Sequence, residues 1–220
     1  MKLHYNHIAG KSLERLAGLS DGIFAVAMTL LVIELQVPTM EAMHTMEGSH
    51  DLASGLLKLL PGLITYFMSF LTLGIFWVGH QSQLSHFARS NLHLVWIHLM
   101  FLFAVSLVPL STAILAGFFT SHIALAVYWF NILILGVTLL GSLLYGERSG
   151  LIKNEATAEV RSAHKRHLLI GQAFYALGAL LCLFNMYVGA SVLILAQVNN
   201  ALAPWIRPEA PPQVDVQKVS

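Results

Sequence analysis

The chain has 220 residues, of which 56% are hydrophobic and 10% are Asp, Glu, Lys or Arg, against roughly 25% charged residues in a soluble domain. With a mean hydropathy of +0.70, this leaves too little polar surface for a water-soluble globule and predicts an integral membrane protein. Twelve basic and eleven acidic residues give a net charge of +1, which excludes the strongly basic surface that nucleic-acid binding requires, and the length suits one domain or one membrane bundle.

In chain order, the first 18 residues are too polar for the apolar core of a signal peptide, so the N-terminus is expected to be kept. Six apolar stretches then follow, each near the roughly 20 residues that cross a bilayer. They fall near 13 to 35, 55 to 79, 91 to 117, 122 to 145, 167 to 187 and 189 to 206. Between the last two, Tyr187 to Ser191 is a weak break, which keeps a five-span reading open. Segment 150 to 164 mixes charges and reads as a short interfacial helix, and residues 207 to 220, with three prolines, read as a disordered tail. Residues 1 to 206 therefore form one six-helix transmembrane unit. The single cysteine, Cys182, lies in an apolar run and excludes an intrachain disulfide.

Lys and Arg accumulate in cytoplasmic loops. Lys2, Lys11 and Arg15, then Arg89, then Arg148, Lys153, Arg161, Lys165 and Arg166, then Arg207 and Lys218 all fall on one side of a six-span chain. The linker between spans one and two carries Glu41, Glu47 and Asp51 without Lys or Arg. Both termini are therefore expected in the cytoplasm. Lys58 alone falls inside a span, near its outer end, where its stem can snorkel.

The first span is the most informative. A carboxylate such as Asp21 is costly near hydrocarbon, by about 2.5 to 3.5 kcal/mol at a helix centre, and needs partners. At about 100° per residue, Gly22, Val26, Thr29 and Ile33 fall on a stripe about 60° wide, while Asp21 lies about 140° from Val26. The stripe fits close helix packing as well as a pore wall; if it lines a pore, Asp21 faces protein. Trp77 and His80 share one face near the end of span two, followed by Gln81, Gln83 and His86, and span three carries His93 and His98. Eleven histidines invite a metal site. No HExxH, no cysteine partner and no nucleotide or nucleophile motif accompanies them, so no metal is expected.

Arg15 followed by Leu19, Ser20 and Asp21 resembles the R-x-x-x-F-S-D signature of the transmembrane protein 175 family of potassium channels, with Leu19 in place of Phe. The similarity continues through Ala25-Val26, Thr29-Leu30-Leu31, Tyr66, Ser69-Phe70, Trp77-x-x-His80 and Leu107-Val108-Pro109. It implies an all-α channel whose first helix lines a central pore. A prokaryotic single-unit member is then a homotetramer in the cell membrane, without a cofactor and with K+ as the permeant ion. The family's constriction residue, five positions after the motif Asp, maps to Val26; Thr29 follows, and Leu30 and Ile33 complete the expected pore lining. The resemblance also implies a structural hydrogen-bond network of Arg15, Ser20, Asp21, Trp77 and His80. Its third-helix Asn position holds His98, which makes the network a candidate for pH sensitivity. Carboxylates at Glu34, Glu41, Glu47 and Asp51 would lie near the outer mouth. Two other readings compete: a proton- or cation-coupled transporter using Asp21 and histidines as a relay, and a membrane metalloenzyme built on His80, His86, His93 and His98.

Overall fold

A computed structural model describes residues 13–33, 60–153 and 158–206. The helices are α1 Leu13–Ile33, α2 Leu60–Ser85, α3 Leu92–Ser106, α4 Val108–Gly117, α5 His122–Arg148, α6 Ala158–Phe184 and α7 Met186–Ile206. Because α3 and α4 run in series as one apolar stretch, Leu92–Gly117, the chain is an all-helical membrane bundle of six rods. Among the described residues, four stretches are long and apolar enough to cross a bilayer: Leu13–Ile33, Gly62–Ser85, Leu92–Gly117 and His122–Arg148. The last two rods hold shorter apolar helices, Leu168–Phe184 and Tyr187–Asn199. Glu34, Glu41, Glu47, Asp51, Lys58 and the tail from 207 lie outside the described residues.

Three boundaries differ from the sequence expectation, each for a local reason. Helix α2 continues to Ser85 instead of ending near 79, because His80 and Gln83 are buried inside the bundle and do not mark an exit to water. Among the described residues of 150 to 164 no separate interfacial helix is found: residues 149–153 form a loop, and α6 already begins at Ala158. The turn between α6 and α7 falls at Asn185, whose Oδ1 accepts from the backbone N–H groups of Tyr187 (3.0 Å) and Val188 (3.2 Å). An Asn side chain that caps the next helix lets two rods meet with almost no loop.

The break between α3 and α4 follows from Pro109, which has no N–H and whose ring clashes with the carbonyl one turn back. The backbone groups loosened there are met from α5. Asn131 Nδ2 donates to Ala104 O (3.1 Å), while its Oδ1 accepts from Val108 N (3.2 Å) and Ser111 Oγ (3.1 Å). At the start of α3, Asn91 accepts from Leu94 N (2.9 Å) and donates to Tyr145 OH (2.9 Å), tying α3 to α5 at a second level.

The core runs between these rods, with Phe24, Leu73, Phe101, Val105, Ile132 and Leu135 almost completely buried. A polar seam crosses it. Ser69 Oγ donates to Tyr128 OH (3.3 Å), Tyr175 OH donates to Thr72 Oγ1 (3.3 Å), and Gln197 Nε2 donates to the same Thr72 oxygen (2.7 Å). Apolar contact alone gives helices in lipid little reason to associate, so such bonds specify which helices meet. Here they fasten α5, α6 and α7 to α2.

Candidate functional site

Helix α1 packs against α2, α3 and α4 through Leu16, Ser20, Phe24, Ala27 and Leu31, its buried residues. These five recur at three- and four-residue spacing and form one face. Gly22, Val26, Thr29 and Ile33 lie on nearly the opposite side, about 150° away at 100° per residue. All four are exposed on the protomer, Val26 by 57% and Ile33 by 71%. Leu30, at the edge of the stripe, is also exposed. Thr29 Oγ1 donates to Val26 O (2.8 Å). Its single hydroxyl proton is therefore turned back onto the helix, leaving oxygen lone pairs to accept.

Asp21 stands to one side of this stripe. Its Oδ1 accepts from Trp77 Nε1 (2.8 Å) and also from Gln81 Nε2. Trp77 and Gln81 are four residues apart on one face of α2, so both donors converge on one oxygen. Gln81 was not among the residues expected here; its spacing from Trp77 is the sequence signal that points to it. The carboxylate is exposed on the protomer surface.

The other motif residues do not join Asp21. Ser20 is buried and donates to Leu16 O (2.8 Å) on its own helix, and Arg15 is exposed. His80 and His98 are completely buried and bonded to each other, Nε2 to Nδ1 at 3.2 Å. That bond needs one bare ring nitrogen, so the two rings cannot both be protonated while it stands. His80 stacks on Phe101, with ring centroids 4.9 Å apart, and Phe87 meets the edge of His98. The outer nitrogens, His80 Nδ1 and His98 Nε2, have no hydrogen-bond partner among the described residues. The motif thus folds into two clusters, a carboxylate clamp at the protomer surface and an imidazole pair in the core.

The remaining histidines of the metal reading are dispersed. His86 Nδ1 bonds to Ser82 O (2.6 Å), and the His93 ring lies beside Tyr145. Among the described residues no group of three or more His, Cys, Asp or Glu side chains is placed to hold a metal ion.

The chain is a bundle of apolar membrane helices whose first helix turns a stripe of small and β-branched residues away from the other helices. Comparison with known proteins gives the family. The model for the endosomal/lysosomal potassium channel TMEM175 matches residues 15–109. A protein of a Chryseobacterium species named as a potassium channel is 31% identical over 203 residues, spanning 89% of this chain and 93% of its own. Another so named, from Streptomyces collinus, is 37% identical over 118 residues, and the match spans about half of each chain, 52% and 54%. Human TMEM175, named as an endosomal/lysosomal proton channel, is 31% identical over 83 residues, 36% of this chain and 16% of its own. In fold, the crystal structure of a lysosomal potassium-selective channel TMEM175 homolog from Chamaesiphon minutus is similar, with a TM-score of 0.74 and 25% identity. That match covers 88% of this chain and 98% of the other. The chain belongs to the TMEM175 family of potassium channels.

Proposed function

We propose that the protein is a potassium-permeable cation channel, assembled as a homotetramer in which α1 of each subunit lines a central axis. The observation that carries this reading is the exposed stripe of α1, set opposite the face that packs on its own subunit. One chain supplies one such helix, so a closed wall requires further copies around an axis. Relatives of nearly the same length are named as potassium channels. Asp21 supports the assembly independently. A carboxylate on the outer face of a membrane helix costs about 2.5 to 3.5 kcal/mol against lipid, and a neighbouring subunit removes that exposure.

Within the tetramer, Val26 forms the narrowest ring and excludes hydrated ions by size and dewetting. The Thr29 ring, one turn along, offers oxygen lone pairs that replace part of the hydration shell of K+. Leu30 and Ile33 continue the wall. Asp21, held by Trp77 and Gln81, ties α1 to α2, and Arg15, Ser20, His80 and His98 stand off the ion path and do not ligate the ion. The channel needs no cofactor, lies in the cell membrane and keeps both termini in the cytoplasm. A proton relay from Asp21 through the histidines fits the geometry less well. The carboxylate is held by an indole N–H and an amide N–H, neither of which passes a proton on, and no bond joins it to His80.

Proteoliposomes holding a K+/Na+ gradient test the proposal. A channel gives unitary currents with a reversal potential displaced towards that of K+, and Val26→Asn raises conductance by wetting the ring. A stoichiometrically coupled flux without unitary currents, or a Val26→Asn protein with unaltered conductance, contradicts it.

A further inference from the structure

The end of the bundle that carries Arg89, Arg148 and Lys153 has a feature that ion conduction does not use. Residues 86–90, between α2 and α3, lie alongside residues 149–153, after α5. Ala88 N donates to Leu151 O (2.9 Å), Lys153 N donates to His86 O (2.9 Å), and Phe87 and Ile152 form an antiparallel bridge. The second loop turns at Gly150, whose φ of 62° lies in the left-handed region that side chains disfavour. The two loops form a clasp held by backbone bonds.

Three cations project from it. Arg89 Nη2 reaches Gly150 O at 3.5 Å, which sets its guanidinium beside the segment that carries Arg148 and Lys153. All three side chains are exposed. None of them forms an ion pair with a described residue, and Glu147 is engaged by Lys165. Across residues 147 to 166 the sequence holds Arg148, Lys153, Arg161, Lys165 and Arg166 against Glu147, Glu155 and Glu159, so the surroundings do not neutralise the patch. It sits where α2 ends at Ser85, α3 begins at Leu92 and α5 ends at Arg148. The ends of apolar helices lie at the level of lipid headgroups.

Beneath the cations the clasp is apolar. Leu84, Phe87, Leu94 and Leu151 form a small core with Leu16, and Leu13 and Ala17 pack against it. The first turns of α1 therefore share one small core with the two loops and the adjoining ends of α2 and α3.

We propose that the clasp binds the phosphate headgroup of an anionic phospholipid through Arg89, Arg148 and Lys153, and that the bound headgroup braces the loops against the start of α1. A guanidinium fork matches phosphate oxygens in two-point geometry. Each cation near an anionic membrane surface favours the anionic headgroup about fivefold, so three of them distinguish it from a zwitterionic one by roughly a hundredfold. The site stands on the loop geometry and does not depend on conduction.

Thermal unfolding of the full-length protein in detergent tests it, with micelles titrated with phosphatidylglycerol, phosphatidylcholine or inorganic phosphate. Phosphatidylglycerol is expected to raise the midpoint as a ligand of the native state does, whereas phosphatidylcholine and inorganic phosphate leave it unchanged. The variant Arg89→Gln/Arg148→Gln/Lys153→Gln loses the rise. A control that removes the same charge elsewhere, Arg166→Gln/Arg207→Gln/Lys218→Gln, keeps it. An equal rise in the clasp variant overturns the proposal, as does an equal loss in the control, which marks a diffuse surface potential, or an equal rise with inorganic phosphate, which marks a free-anion site. If the triple variant does not fold, Arg148→Gln alone decides: its side chain bonds to no described residue, and it must shift the titration to roughly fivefold higher phosphatidylglycerol.

Discussion

Asp21 shows how a charged side chain is accommodated on a membrane helix: two N–H donors from one face of α2 meet one carboxylate oxygen. Removing either donor, in Trp77→Phe or Gln81→Leu, should cost about 1 to 3 kcal/mol, since hydrogen bonds to a charged group are worth more than neutral ones. Asp21→Ala should cost more and lower the yield of assembled protein on size exclusion, while channels that do assemble keep their ion preference. An Asp21→Ala protein of normal yield that loses K+ preference would place the carboxylate in the permeation path. Thr29→Val, which removes the hydroxyl and keeps the shape, should reduce K+ over Na+ preference, and Thr29→Ser should retain it. Reversal potentials under mixed ions check both variants. The motif made Asp21 and Trp77 legible in the sequence, because a carboxylate in an apolar run demands a donor. Gln81 was hidden in a polar helix end whose glutamines look solvated. That Ser20 turns back to Leu16 O depends on a rotamer, which spacing does not specify.

Hydropathy found the helical rods because each buries or exposes apolar surface along its whole length. It misjudged their ends wherever a polar residue is satisfied inside the bundle. Trp77, His80, Gln81 and Gln83 read as an exit to water, yet Gln83 Nε2 bonds to Leu139 O (3.1 Å) and Ser142 Oγ on α5, so α2 runs on. The third stretch read as one span from 91 to 117, although Pro109 breaks it, and the residue that repairs the break, Asn131, lies on another helix and left no local trace. Asn131→Leu should leave Val108 N unpaired and Ala104 O with only its bond from Leu107 N (3.2 Å), and destabilise the fold by about 1 to 3 kcal/mol, read as a lowered melting midpoint. An unchanged midpoint would mean that the kink satisfies its own backbone. Where α6 and α7 meet, a Cβ on Gly178 would lie 2.3 Å from the Leu193 side chain. Gly178→Ala should therefore destabilise by about 1 to 3 kcal/mol through overpacking. Adding Leu193→Ala should restore part of that loss, because contacting residues do not act additively.

For the whole molecule, the chain explains its own packing but not the exposed stripe of α1. Residues on α1 that no described element covers, Val26, Thr29 and Ile33 among them, include the motif-linked positions, and Asp21 is open beside them. In the proposed tetramer, four copies around an axis would cover both, so the detergent-solubilised protein should have the mass of a tetramer, and thiol labelling of Lys2→Cys and Lys218→Cys should place both ends on the side of Arg89 and Arg148. A dimer as the largest species, or labels on opposite sides, would count against this arrangement. The central claim is that the open stripe of α1 lines the ion path, and cysteine accessibility on single channels tests it most directly. In a Cys182→Ala background, a water-soluble thiol reagent should block K+ current through Val26→Cys and Thr29→Cys channels and leave Val32→Cys channels conducting, since Val32 lies about 120° from Val26 on the helix. Block at Val32→Cys with free conduction through modified Val26→Cys would put another face of α1 on the axis and contradict the account.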